Sequence, residues 1–580
     1  MVIRQIINKF TINRHLALSN KNINMNNSNT HLAHLFAIRN RYDKQVASKK
    51  MSLLNELNRE THKSKKTVQS YYAILLFLIA HPDNKTVYRL AQQLLQQLEL
   101  YITANEKIKR GLFNTGITGS TLCSAFSFEM VKWLRQTRPR EIRFSSFEAG
   151  DAQIQSILSA VMPKVESEIM QDANAEWKGW LKQSLKKGED LLDQLISIFD
   201  SSSIRPEVKD ELWNAIGINV EIDFVTQCCL PESLIAPYYH RSLIRREIKK
   251  ISPVTKPCRV KLTNNEAAQI IDCSRMVLVR NLREIDPISF TAPNLISYYR
   301  LPGGIAIALM GMVTERRHPI DSYMGYMVFK NGLPVAYAGS WILFNSARIG
   351  LNVFPEYRGG ESKYIFDQVL QLHAQVYHLK RFTVDPYQLG KENSDGIRSG
   401  AFWVYYKAGF RPIQMEQREL AAAEEQQIRS VTGYRSSAAV LKKLAGSRME
   451  LILQKNAVRF DATDMSRAYA ATLIKKYRAN RILAEKETVK KLAKILNIKD
   501  YHEINLSFVL KNWALLLLYY EKKLQQNSGL RIALKSILKL KASGAEEMYI
   551  KAMQQDQGLR KLVEGMIPEH NSNQLNLSAS

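Results

Sequence analysis

Apolar residues recur at helical spacing through the first part of this chain and at strand spacing in its middle. Ala91, Leu94, Leu95 and Leu98 fall at i, i+3, i+4 and i+7, on one helix face. His81-Pro82-Asp83-Asn84 breaks the pattern ahead of them, and helical spacing resumes in Ile154–Val165 and Leu191–Phe199. Asn114–Thr121 reads as a loop: Gly119 stands where a phosphate loop needs Lys. The stretch 251–257, with Pro253 and Pro257, reads as a linker. Beyond it Gly304–Val313, Tyr323–Phe329, Val335–Phe344 and Arg348–Phe354 are four strand candidates in succession, and Asn331-Gly332 marks a tight hairpin. Ile365, Val369, Leu372 and Val376 then share a helix face, Arg381–Val384 is a short strand, a helix runs from about Ile397 to Ala408, and Phe410–Ile413 begins another strand. After Gln417 helical spacing returns, with Val489, Leu492, Ala493 and Leu496 on one face and a buried helix over Leu506–Tyr520.

This pattern predicts an α+β protein: a central mixed β-sheet with flanking helices, embedded between α-helical N- and C-terminal regions. The expected divisions are a basic disordered extension (1–50), a helical region (51–250), an α/β domain (251–416) and a basic helical region (417–580). Of 580 residues, 45% are hydrophobic and 23% charged, which excludes wholesale disorder. Lys+Arg is 82 against 54 Asp+Glu, a formal net charge of +28 that favours anionic partners such as nucleic acid or phosphorylated cofactors. Five cysteines with no pair at CxxC spacing argue against a zinc site or a disulfide scaffold and suit a reducing, cytoplasmic setting. The longest apolar runs fall far short of the ~20 residues that cross a bilayer, so no membrane span is expected.

The segment with chemistry in it is Val353-Phe-Pro-Glu-Tyr-Arg-Gly-Gly360. A strand ends here, the chain turns through Arg358-Gly359-Gly360, and a helix begins near Ser362. Unpaired N–H groups at the helix start, glycines that admit a close ligand, a capping Ser362 and the charge of Arg358 together make a cradle for a pyrophosphate. These residues resemble the acetyl-CoA-binding motif of the GNAT N-acyltransferase superfamily. Ala401-Phe-Trp-Val-Tyr-Tyr-Lys-Ala-Gly-Phe410 is similar to that family's second helix, whose tyrosine falls on Tyr405. The resemblance spans roughly residues 255–415.

That resemblance implies direct transfer from acetyl-CoA to an amine. Val353 supplies backbone N–H groups to the thioester, Arg358, Gly359, Gly360 and Ser362 hold the pyrophosphate, and Tyr405 protonates the leaving thiolate. Asp385, at the end of the strand bordering the cleft, is the foremost candidate base, ahead of Glu315, His318 and Asp321. This sequence departs from the motif by placing Glu361 and Lys363 where the family has Gly or Ala. Tyr238-Tyr239-His240-Arg241 reads as a polar helix start. Two further functions stay open: a non-catalytic GNAT-like binding protein whose basic helices hold nucleic acid, and a transferase that uses aminoacyl-tRNA as donor. The expected partners are therefore an acyl-CoA, an amine acceptor, and RNA or another polyanion.

Overall fold

The apolar runs of the middle region become neighbouring strands, as their β-branched and aromatic content favours. The computed structural model describes residues 27–59, 64–171, 177–224, 229–245, 257–455 and 459–566. Three strands come first: β1 (Thr121–Ala125), β2 (Ile142–Phe147) and β3 (Ile218–Asp223), a small antiparallel sheet of order β1-β3-β2. The large sheet follows, with β4 (Cys258–Val260), β5 (Ile296–Leu301), β6 (Ile305–Met310), β7 (Ser322–Lys330), β8 (Leu333–Leu343), β9 (Ser346–Ile349), β10 (Asn352–Val353), β11 (Arg381–Val384), β12 (Arg411–Pro412) and β13 (Met449–Ile452). Its order is β12-β13-β11-β9-β8-β7-β6-β5-β4, with β10 beside β8. β9 and β11 run parallel and the other paired neighbours antiparallel, so the sheet is mixed and the fold α+β.

Every residue of β7 is buried, which explains its unbroken apolar character: both faces of the sheet are covered. Asn331 (φ 47°) and Gly332 (φ 86°) turn β7 into β8 with the left-handed pair that a two-residue hairpin favours. The turn is also a dock for the N-terminal helices. The Asn331 amide donates to the carbonyls of Ala80 (3.0 Å) and Tyr238 (3.1 Å) and accepts the Tyr238 N–H (2.8 Å). Helices Lys65–Ala80 and Lys85–Ala104 thereby share one continuous apolar core with the sheet. On the other side, the loop between β6 and β7 is gripped by the C-terminal helices. Lys541 donates to Asp321 O (2.9 Å) and pairs with Glu546 (2.8 Å), while Trp513 Nε1 and the Tyr549 hydroxyl donate to Pro319 O and Ile320 O.

The structure corrects the expected divisions at several places. Asn27–Ile38 and Lys44–Arg59 are helices, so the segment read as a disordered extension to residue 50 is folded from Asn27; residues 1–26 lie outside the described residues. The region read as helical over 51–250 carries β1–β3. The sheet reaches past 416, because β13 inserts between β11 and β12. Tyr238–Arg241 is not a helix start but irregular chain, with Tyr238 bonded to the Asn331 turn. The helix expected over 397–408 is two, Ser394–Ser399 and Ala401–Lys407, divided at left-handed Gly400 (φ 64°). The linker at 251–256 lies outside the described residues.

Candidate functional site

The run read as one strand over 348–354 is broken, and the break makes the site. β9 pairs with β8 on one side and, in parallel, with β11 on the other, from Arg381↔Ser346 to Thr383↔Arg348. At Gly350-Leu351 the chain bends, and β10 keeps only β8 as a partner (Asn352↔Tyr337, Val353↔Ala336). A notch therefore opens between β10 and the end of β11. The Phe354 N–H donates to Val335 O (3.0 Å), so by antiparallel alternation Asn352 also faces β8, and Val353 turns its N–H and C=O toward the notch. The Val353 carbonyl accepts the Arg358 Nε–H at 3.1 Å.

Tyr405 stands at this break. Its phenol accepts the Leu351 N–H (3.0 Å) and donates to Gln388 Oε1 (3.5 Å), and Phe366 meets its ring edge-on. Burial pushes its pKa up, which keeps the phenol protonated and neutral. Tyr326, on β7, donates its hydroxyl to Gly350 O. The Gly350 C=O and the Leu351 N–H of the bend are thus each held by a phenol. Gly350 permits the approach: a Cβ there would stand 3.0 Å from the Gln388 side chain.

After β10 the chain makes a short 3-10 turn over Pro355–Tyr357 and reaches the glycines. Arg358 is exposed and forms two hydrogen bonds to Asp395, at 3.2 and 2.9 Å. Gly359 has φ +81°, a left-handed conformation that suits glycine, and Gly360 lies against His81. Ser362 does not cap the helix as expected. It is the first residue of Ser362–Val376, Glu361 holds the cap position, and no side chain bonds the first-turn N–H groups there. The Glu361 carboxylate, which the sequence places where a phosphate would approach, is turned inward. It is fully buried, pairs with Lys330, accepts the Ile244 N–H (2.7 Å) and lies 3.3 Å from His240 Nε2. Burial alone would raise its pKa; the His240, Lys330 and Ile244 contacts outweigh burial and hold it down to about 2.

Asp385 has other company than an amine. Its carboxylate is engaged by Arg348 (3.3 Å) and Arg448 (2.9 Å), a tie among β9, β11 and β13 that takes it out of the role of a free base. Glu315 is exposed, and His318 pairs with Asp321 at 3.0 Å. These three belong to the loop before β7, whose Ser322 pairs with Ile342, while the notch is opposite Tyr337, about 17 Å away along β8. Nothing in the local spacing of Tyr326, Gln388, Lys330 and His81 distinguishes them from core residues, so the sequence alone does not mark them as site residues. For His240 the available signal is the polarity of the Tyr238–Arg241 cluster.

A cavity of about 30 Å³ lined by Tyr72, Arg280, Phe354 and Tyr357 lies behind the turn and has room for water, not for a coenzyme. Among the described residues no group of His, Cys, Asp and Glu is placed to hold a metal, and no helix is long and apolar enough to cross a membrane. Compared with known proteins, the chain matches no family model, no curated protein and no solved structure.

Proposed function

We propose that this protein is an acyl-CoA-dependent N-acyltransferase, with acetyl-CoA as donor and an amine as acceptor. One arrangement supports the reading: a notch between diverging parallel strands, with the Val353 N–H and the Tyr405 phenol beside it and an exposed Arg358-Gly359-Gly360 turn leading into a helix N-terminus. In this reading the amine attacks the thioester carbonyl, whose developing oxyanion is met by the Val353 N–H. The C–S bond breaks and the thiolate takes the Tyr405 proton. The proton lost by the attacking nitrogen goes to water, since Asp385 is held by two arginines, and water returns one proton to the Tyr405 phenolate. Arg358, Gly359, Gly360 and Ser362 receive the pyrophosphate, and the inward turn of Glu361 keeps its charge away from it. A reducing, cytoplasmic setting goes with this reading.

Calorimetric titration with acetyl-CoA and desulfo-CoA tests it. Saturable heat and a rise in melting temperature are expected; no heat and no shift at millimolar ligand refute it. Tyr405→Phe is expected to slow turnover by roughly 10²–10⁴ with donor affinity retained.

One observation favours a second reading, a non-catalytic GNAT-like protein that binds nucleic acid. Tyr405 and Tyr326 already occupy the Leu351 N–H and Gly350 C=O, which closes the bend to a ligand that needs them. Retention on nucleic acid that falls steeply with salt supports this reading, and retention that ignores salt removes it. RNA that co-purifies with the protein would instead point to an aminoacyl-tRNA donor.

A further inference from the structure

We propose that Arg39, from the N-terminal helical region, completes the anion site at the Arg358–Ser362 turn and takes a phosphate group of the bound nucleotide. As a coenzyme-phosphate site this rests on the acyl-CoA reading; as an anion site it stands on the geometry of the turn. Arg39 follows helix Asn27–Ile38, and Lys50 Nζ donates to its carbonyl (3.1 Å), which fixes the backbone. Its guanidinium lies 3.4 Å from the Phe36 ring centroid and 5.3 Å from that of Phe77. Nη2 reaches 3.9 Å from the point where a Cβ on Gly359 would stand, the one neighbour among the described residues within contact range of that point.

Among the described residues this cation has no counter-ion. Nη1 is buried and bonds nothing among the described residues. Four carboxylates of the adjoining segments are engaged with other cations: Asp83 with Lys50 (2.9 Å), Glu361 with Lys330, Asp395 with Arg358 (2.9 Å) and Asp43 with Arg41 (3.9 Å). A buried, unpaired guanidinium nitrogen is costly, and an oxyanion with several acceptor atoms removes that cost. His81 adds an independent mark. It is 1% exposed, and its Nε2, also without a partner among the described residues, lies 3.1 Å from the point where a Cβ on Gly360 would stand. Its Nδ1 faces Phe77 O (3.2 Å), which leaves Nε2 to accept a hydroxyl proton from a phosphate or sugar. The first turn of the 15-residue helix Ser362–Val376, uncapped by any side chain and carrying Lys363, faces the same turn. Two structural regions thus meet at this turn, and the N-terminal helices are part of it rather than a separate module.

The test is calorimetry on the full-length protein with inorganic pyrophosphate and with CoA, comparing wild type, Arg39→Gln and Arg39→Lys. Loss of one charge-assisted contact is expected to weaken both ligands roughly tenfold to a hundredfold in Arg39→Gln, with partial recovery in Arg39→Lys. Wild-type protein also reports without any variant: pyrophosphate is expected to protect Arg39 from phenylglyoxal in a peptide mass map. Pyrophosphate binding that depends on Arg39, without CoA binding, upholds the anion site and removes the coenzyme reading. CoA binding of equal strength in wild type and Arg39→Gln, with Arg39 unprotected, overturns the inference and leaves the coenzyme reading standing. Absence of pyrophosphate binding to wild type at millimolar concentration overturns the inference.

Discussion

Glu361 offers a demanding test of how the N-terminal helices are held to the sheet. Its side chain and that of Lys330 are both fully buried, and Lys330 also donates to Gly303 O at 2.6 Å. A carboxyl moved from its ordinary 4.5 to about 2 is favoured in its ionised form by roughly 3 kcal/mol. Removing one partner of such a pair strands the other, at a cost of about 3–5 kcal/mol. Glu361→Gln should therefore weaken the contact among helix Lys65–Ala80, the 238–244 segment and helix Ser362–Val376. Native-state hydrogen exchange reads this directly. Amides in those segments are expected to open on the order of a hundredfold more often, while β1–β3 keep their protection. Lys330→Met with Glu361→Gln should recover most of the loss, because no ion is then left alone. The folded pKa is depressed, so the contribution is full above about pH 4.5 and is lost as pH falls toward 2. Urea midpoints should follow that course in wild type and be flatter in Glu361→Gln. A change in opening below about threefold, or loosening spread evenly over the chain, would refute the reasoning.

Asn331→Ala removes three side-chain hydrogen bonds and leaves a left-handed residue without its preferred side chain, so a loss of about 2–4 kcal/mol is expected from urea unfolding. Lys541→Met strands the buried Glu546 and frees the loop before β7; limited proteolysis is expected to cut near Arg316–Arg317 in the variant and not in wild type. Glu284 caps helix Phe128–Thr137 through the Ser127 N–H (3.1 Å) and hydroxyl (3.0 Å), and burial pushes its carboxyl up to about 7 despite those bonds. Its folded pKa is raised, so stability falls as pH climbs from about 4.5 to 7, by roughly 3 kcal/mol in all. Glu284→Gln should be more stable than wild type at pH 8 and lose that advantage at pH 5; equal pH dependence in the two would count against the assignment.

Much of the central sheet was legible in the sequence because its determinants are local. Asn331-Gly332 can turn tightly whatever surrounds it, and the runs that became β6, β7, β8 and β11 are rich in β-branched and aromatic residues. The same holds for helix Ser362–Val376, whose apolar spacing placed it within a few residues. Three things needed the folded chain. β13 lies in a stretch of helical character and is a strand because β11 and β12 offer it hydrogen bonds. The bend at Gly350-Leu351 exists because Tyr405 and Tyr326, 54 and 24 residues from their backbone partners, satisfy the groups the bend exposes. The direction of Glu361 was decided by Lys330, 31 residues away, and by Ile244, 117 away. Periodicity reports which face a residue occupies, since that depends on near neighbours. Where a charge points depends on which opposite charge the fold brings to it, and sequence spacing does not contain that distance.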